Sequence, residues 1–175
     1  MRDPTRAQDA RSFEEWIRPI IESEEFLKMR EYRHHIRGNV YDHSLKVAYL
    51  CYRHYRKHGS RVNPKELLRG ALLHDYFLYN RYDKANRKNG LLHCFTHPKR
   101  ALENAKRTYP DLTATEEDII KRHMFPLIPI PPKTRCGWLV CYYDKIAAIK
   151  DYCGRANKNY IKGDINNGKL FKKRI

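Results

Sequence analysis

Apolar residues along this 175-residue chain recur three and four positions apart and seldom alternate, which predicts helices and almost no strands. Ser12, with Glu15 three residues on, is a capping-box pattern that opens "FEEWIRPIIESEEFLKMREY". Pro19 is expected to bend or interrupt that segment. In "DHSLKVAYLCYRHYRKHG", Val47, Leu50, Cys51 and His54 share a face, and Gly59 is the expected stop. Asn63-Pro64 combines an N-cap with proline at the first helical position. It starts a helix in which Leu67, Ala71, His74 and Leu78 form an inward stripe, with Asp75 beside them. Thr96 is expected to cap "HPKRALENAKRTY", which ends before Pro110. Thr113 with Glu116, or Thr115 alone, can start "EEDIIKRHMF", halted by Pro126. The proline-rich loop "PLIPIPP" leads to Thr134 and a last helix, "RCGWLVCYYDKIAAIKDYC". The expected fold class is all-α: a single-domain bundle of about six or seven helices, without internal repeats.

Composition adds boundaries. A domain of this length buries about 70% of the surface its unfolded chain exposes. Residues 1–33 read as an N-terminal helical segment, 34–152 as the main domain, and 153–175 as a basic, flexible tail rich in glycine and asparagine. No run approaches the ~18 apolar residues of a membrane span, and the first residues lack the apolar core of a signal peptide. Five cysteines, none in a Cys-x-x-Cys pair, suit reduced thiols, so a cytoplasmic location is expected. Thirty-six basic against twenty acidic residues give a net charge of +16. Such a field attracts anions: nucleotides, phosphorylated metabolites or nucleic acid. It does not choose among them, and no recognised nucleic-acid motif is present. The tail serves equally as a solubilising end or as a nucleic-acid arm.

The histidines carry the chemistry. Each of five consecutive predicted helices offers a histidine or aspartate toward the interior: His43, then His74 with Asp75, His97, His123 and Asp144. His97 is expected to open its helix and His123 to lie near the end of the next. Polar groups inside a bundle cost free energy unless something satisfies them. Four imidazoles and two carboxylates are satisfied together by a divalent transition metal: Fe, Mn, Co, Ni or Zn. The absence of thiolate pairs argues against a structural zinc site. Six ligands exceed what one catalytic ion needs, and point to two ions ~3.5–4 Å apart bridged by a carboxylate.

His43, the adjacent His74-Asp75 and the later Asp144 match the H…HD…D signature of the HD-domain metal-dependent phosphohydrolases, an all-helical superfamily. The words "YDHSLKVA", "RGALLHDYFLY", "HCFTHPKRALENAKR", "IIKRHMFPLIPIPP" and "DKIAAI" resemble a bacterial subgroup of HD-domain hydrolases, over about Ile36 to Asp151. The resemblance implies His43, His74, Asp75 and Asp144 as shared metal ligands. It places His97 and His123 at the extra positions of two-metal members, with Asp75 bridging. His35 and His93 fit the subgroup pattern without an equally clear role. Many phosphodiesterase relatives carry a lysine three residues after the HD aspartate, where this chain has Leu78, and their "GYP" signature is missing. That weakens a cyclic-dinucleotide substrate. Lys145 or Arg37 can neutralise phosphate instead, though either also reads as a helix-surface charge.

The expected activity is therefore metal-dependent hydrolysis of a nucleotide or other phosphate ester by metal-activated water, with one or two ions. Asp75, if more than a ligand, orients or deprotonates that water, and Lys145 assists. Two other readings stand beside it. One is a di-iron oxygenase on the same scaffold, and the other a basic nucleic-acid-binding module with a structural metal. The oligomeric state is not legible.

Overall fold

Caps set most of the helix starts. The computed structural model describes residues 12–34, 38–59, 61–79 and 90–152; His35, Arg37, Cys153 and the expected tail lie outside them. Ser12 caps α1 (Phe13–Ile21) by accepting from the Glu15 N–H, while Glu15 accepts from the Ser12 N–H. Pro19 lies inside α1 without interrupting it, at the cost of one ladder bond. The break comes at Ser23. Its hydroxyl donates to the Ile20 carbonyl and accepts from the Phe26 N–H, so it closes α1 and opens α2 (Glu24–Leu27) together. A 3-10 turn, Lys28–Glu31, follows.

The only ladder among the described residues is an antiparallel pair, β1 (Arg33–His34) with β2 (Gly38–Asn39), in the register Arg33↔Asn39 and His34↔Gly38. It delivers the chain to α3 (Val40–His58), which Asn39 caps through the Asp42 N–H. Gly59 ends α3 at φ 54°, a left-handed conformation that costs a residue with a Cβ roughly 1–2 kcal/mol. Asn63 caps α4 (Pro64–Leu73), with proline at its start as expected.

Two expectations fail next. The stripe from Leu67 to Leu78 is cut short, because α4 ends at Leu73, His74 is its C-cap, and Asp75 lies in the turn beyond. The chain can leave the helix there because its polar groups find partners. The Tyr76 N–H bonds the Leu73 carbonyl, the Phe77 N–H bonds the Asp75 carbonyl, and Asn104 donates to the Tyr76 carbonyl. Likewise Thr96 does not begin a helix. The next helix, α5 (Gly90–Thr108), is already under way, so His97 sits mid-helix, and Pro98 is accommodated within it. The Thr113–Glu116 capping box then opens α6 (Ala114–Arg122), whose C-cap is His123. The Thr134 hydroxyl accepts from the Gly137 N–H at the start of α7 (Arg135–Tyr152).

The described residues thus hold seven α-helices and one two-residue ladder, an all-α architecture. α3 packs on α4 and α7, α4 on α6, and α6 on both α5 and α7. Val47, Cys51, Leu67, Leu72, Ile119 and Val140 are fully buried between them, and each large side chain contributes about 1.5–3 kcal/mol. The α4–α6 approach is close enough to require Gly70: a Cβ there would stand 3.2 Å from Ile119 Cβ. Asp118 of α6 accepts from the Lys133 and Thr134 N–H groups and from the Thr134 hydroxyl, which fixes where α7 begins. No described helix is long and apolar enough to cross a membrane.

Candidate metal centre

The ends of α4 and α6 and the middles of α5 and α7 meet the first turns of α3 at one buried spot. His43, His74, Asp75, His97, His123 and Asp144 are all there, none more than 9% exposed. Potential ligand atoms of His43, His74 and Asp75 lie within 4.8 Å of one another, and so do those of Asp75, His97 and His123. Asp75 belongs to both groups. Its Oδ1 is 3.2 Å from His97 Nε2 and 3.4 Å from His123 Nε2, and its Oδ2 is 3.7 Å from His74 Nε2. Asp144 joins the first group, with Oδ1 3.0 Å from His43 Nε2 and 3.7 Å from His74 Nε2.

Three of the imidazoles are aimed by the backbone. Nδ1 of His74 bonds the Ala71 carbonyl at 2.7 Å, that of His97 the His93 carbonyl at 2.9 Å, and that of His123 the Ile120 carbonyl at 2.8 Å. A carbonyl only accepts, so each Nδ1 carries a proton, and in the neutral form of the ring the lone pair is on Nε2. His74 Nε2 is buried and has no hydrogen-bond partner. His97 and His123 point their Nε2 atoms at each other across 2.9 Å. Burial lowers the His123 pKa to about 4 against the opposing pull of Asp75, so that ring stays neutral near pH 7. Lone pairs converging on a buried carboxylate form an unfavourable arrangement that a cation relieves. The donor set, imidazole and carboxylate without thiolate, fits a divalent transition metal.

His43 is held differently. Its Nδ1 faces Asp151 Oδ2 at 3.6 Å. Burial alone would lower its pKa, but Asp144 and Asp151 outweigh burial and raise it to about 9. Asp144 responds in kind: burial opposes its ionisation, yet His43 and His74 hold it well below the usual carboxylate range. Asp151 is also paired with Lys46, and against the effect of burial His43 and Lys46 together bring its pKa down to about 2. Burial raises the Cys51 and Cys141 thiols, and Cys136 to about 11, so these are protonated packing groups rather than thiolate ligands.

A pocket of about 460 Å³ opens beside Asp75, His97, His123 and Asp144. Phe77, Met124, Pro126, Leu127 and Ala148 give it an apolar wall, and Lys145 is the cation on it. Lys145 Nζ donates to the His123 carbonyl and lies 3.4 Å from Asp144 Oδ2. The residue is therefore at the pocket rather than on an outer helix face. His93, which had no clear role in the sequence, is buried on the same wall. Its ring stacks on His97 at 4.9 Å between centroids, and its Nδ1 is 2.8 Å from the Tyr79 hydroxyl. Sequence reasoning missed Asp151 and Lys46 altogether. The signal was present: Asp151 follows Asp144 by seven residues and Lys46 follows His43 by three, so each shares a helix face with its neighbour in the site.

A family model described as HD domain matches residues 40–149, more than half of the chain. Comparisons with curated proteins and with solved structures found no match.

Proposed function

This chain belongs to the HD-domain family, and on that premise we propose that it is a metal-dependent phosphohydrolase acting on a nucleotide or other phosphate ester. The observation that carries the reading is the convergence of three backbone-aimed Nε2 atoms on Asp75 beside an open pocket. His43, His74, Asp75 and Asp144 would hold one divalent ion, and Asp75, His97 and His123 a second. When bound, such ions supply an acidified water and positive charge for a phosphoryl oxygen. The chain's own groups do the rest. Asp75, which lines the pocket, would orient the attacking water and, if it is more than a ligand, take its proton. Lys145, tethered by the His123 carbonyl, offers an ammonium to the phosphoryl group where charge develops. The apolar wall receives the non-phosphate part of the substrate. A volume of about 460 Å³ lies within the ~300–1,000 Å³ of small-molecule sites. The net charge of +16 draws an anion toward it.

The test is phosphate release from nucleoside monophosphates and p-nitrophenyl phosphate, using metal-depleted protein reloaded separately with Mn, Fe, Co, Ni or Zn. Release that needs a metal is expected with at least one of them. Bound metal without release from any ester would count against hydrolysis. Oxygen consumption by the iron-loaded protein would then favour the di-iron oxygenase reading, which the thiolate-free donors and apolar wall also accommodate.

The metal should also hold the bundle together, since its ligands come from five helices. An ion that binds only the folded chain stabilises it by ~4 kcal/mol at a thousandfold excess over its dissociation constant. That corresponds to a melting-point increase of about 8–16 °C for a domain of this size. EDTA should therefore lower the melting temperature by a comparable amount. An unchanged melt after confirmed metal removal would oppose the site.

A further inference from the structure

Three of the four imidazoles at the centre use a backbone carbonyl as their second anchor, and His43 does not. For His74 and His123 the reason lies in helix ends. Both are C-caps, and Ala71 and Ile120 belong to last turns, where carbonyls lack ladder partners. His43 sits in the opening turns of α3, where the groups left over are N–H donors, not carbonyls. A helix start thus has no spare acceptor for an imidazole N–H. The acceptor facing His43 Nδ1 comes from another element: Asp151 Oδ2 on α7, at 3.6 Å a little farther than a hydrogen bond.

Asp151 is itself held. Lys46, one turn beyond His43 on α3, ion-pairs with its other oxygen, Oδ1. On α7, Asp151 lies two turns beyond Asp144, whose Oδ1 is 3.0 Å from His43 Nε2. Two helices therefore interlock through paired residues, His43 and Lys46 on one side, Asp144 and Asp151 on the other. His43 stands between two carboxylates, one at each ring nitrogen. We propose that Asp151 is the positioning residue of this centre, a carboxylate that closes on the Nδ1 proton of His43 when the metal binds and so presents the Nε2 lone pair to it, with Lys46 fixing Asp151 in place. The proposal rests on the reading that these residues hold a metal. Asp151 lies beyond the residues that the HD-domain model matches.

Two functions are possible for such a carboxylate, and they separate experimentally. A strap between α3 and α7 would matter to the fold with or without metal. A positioning residue matters to the metal. Parent, Asp151→Asn, Asp151→Ala and Lys46→Met proteins are stripped of metal and titrated with Co(II) against a chelator. The visible spectrum of the cobalt protein and the melting temperature of the metal-free protein are recorded beside the affinity. Asp151→Ala should weaken cobalt binding by about 10–100-fold, as loss of a partner to a ligating imidazole commonly does. It should also shift the cobalt spectrum. Asp151→Asn keeps an acceptor oxygen but loses the charge, so its affinity should fall between parent and alanine variant. Lys46→Met, which leaves the carboxylate but frees it, should weaken binding less than Asp151→Ala. If the alanine variant does not fold, the asparagine and methionine variants decide the matter. Cobalt affinity within about twofold of parent in every folded variant, with unchanged spectra, would overturn the proposal. So would equal losses of metal-free melting temperature in Asp151→Asn and Lys46→Met with affinity intact, the signature of a strap. A parent that binds no cobalt would remove the metal reading itself, a result distinct from either.

Discussion

Asp75→Ala is expected to lose its bound metal and with it phosphate release, by about a thousandfold or more, equivalent to roughly 4 kcal/mol of transition-state stabilisation. The size follows from its place. One oxygen of Asp75 faces His97 and His123 at 3.2 and 3.4 Å, and the other faces His74 at 3.7 Å. No other described residue belongs to both ligand groups. The isosteric Asp75→Asn supplies the control for folding. A buried carboxylate whose counter-charge has been removed destabilises its surroundings, so the metal-free asparagine variant should melt no lower than the metal-free parent. Loss of metal in a protein whose fold is intact is the expected outcome. Full occupancy with normal turnover in Asp75→Ala would end the assignment.

Where local chemistry decides structure, the sequence was readable. Ser12 with Glu15, Asn63 with Pro64, Thr113 with Glu116, and Gly59 each act through groups within a few residues, and each sits at a helix boundary as expected. Two boundaries were misread, one of them set by a distant partner. The spacing of Leu67, Ala71, His74 and Leu78 continues a helical stripe, but Asn104, from α5, satisfies the Tyr76 carbonyl and lets the chain turn away after Leu73. The turn is what brings His74 and Asp75 in side by side. On an unbroken helix, neighbours point about 100° apart. Thr96 and Pro98 imitate a helix start, yet the helix runs from Gly90 through both. The histidines and aspartates of the centre could be named in advance because their residue types are costly to bury singly. Asp151 could not. Acidic residues near a helix end are ordinary, and its relation to His43 exists only once α3 and α7 are packed together.

The number of ions separates two mechanisms, and the double variant His97→Ala with His123→Ala decides between them. His43, His74, Asp75 and Asp144 suffice for one ion with positions left for water and substrate. His97 and His123 are then either ligands of a second ion sharing Asp75 or contacts for the phosphate and leaving group. They were expected at two helix ends, but only His123 is at one, and His97 reaches it from the middle of α5. Geometry favours the second ion. Both Nε2 atoms lie within 3.4 Å of the same carboxylate oxygen, and 2.9 Å from each other, with both Nδ1 protons committed to backbone carbonyls. In the neutral form, a ring fixed in that way has no proton left to give a phosphate oxygen. Under the two-ion reading, metal content falls from about two per chain to about one, and hydrolysis drops by orders of magnitude because the charge clamp is lost. Under the one-ion reading, metal content stays near one in both proteins while activity still falls. Two ions retained in the double variant would show that neither histidine is a ligand, and the paired lone pairs would then need another explanation.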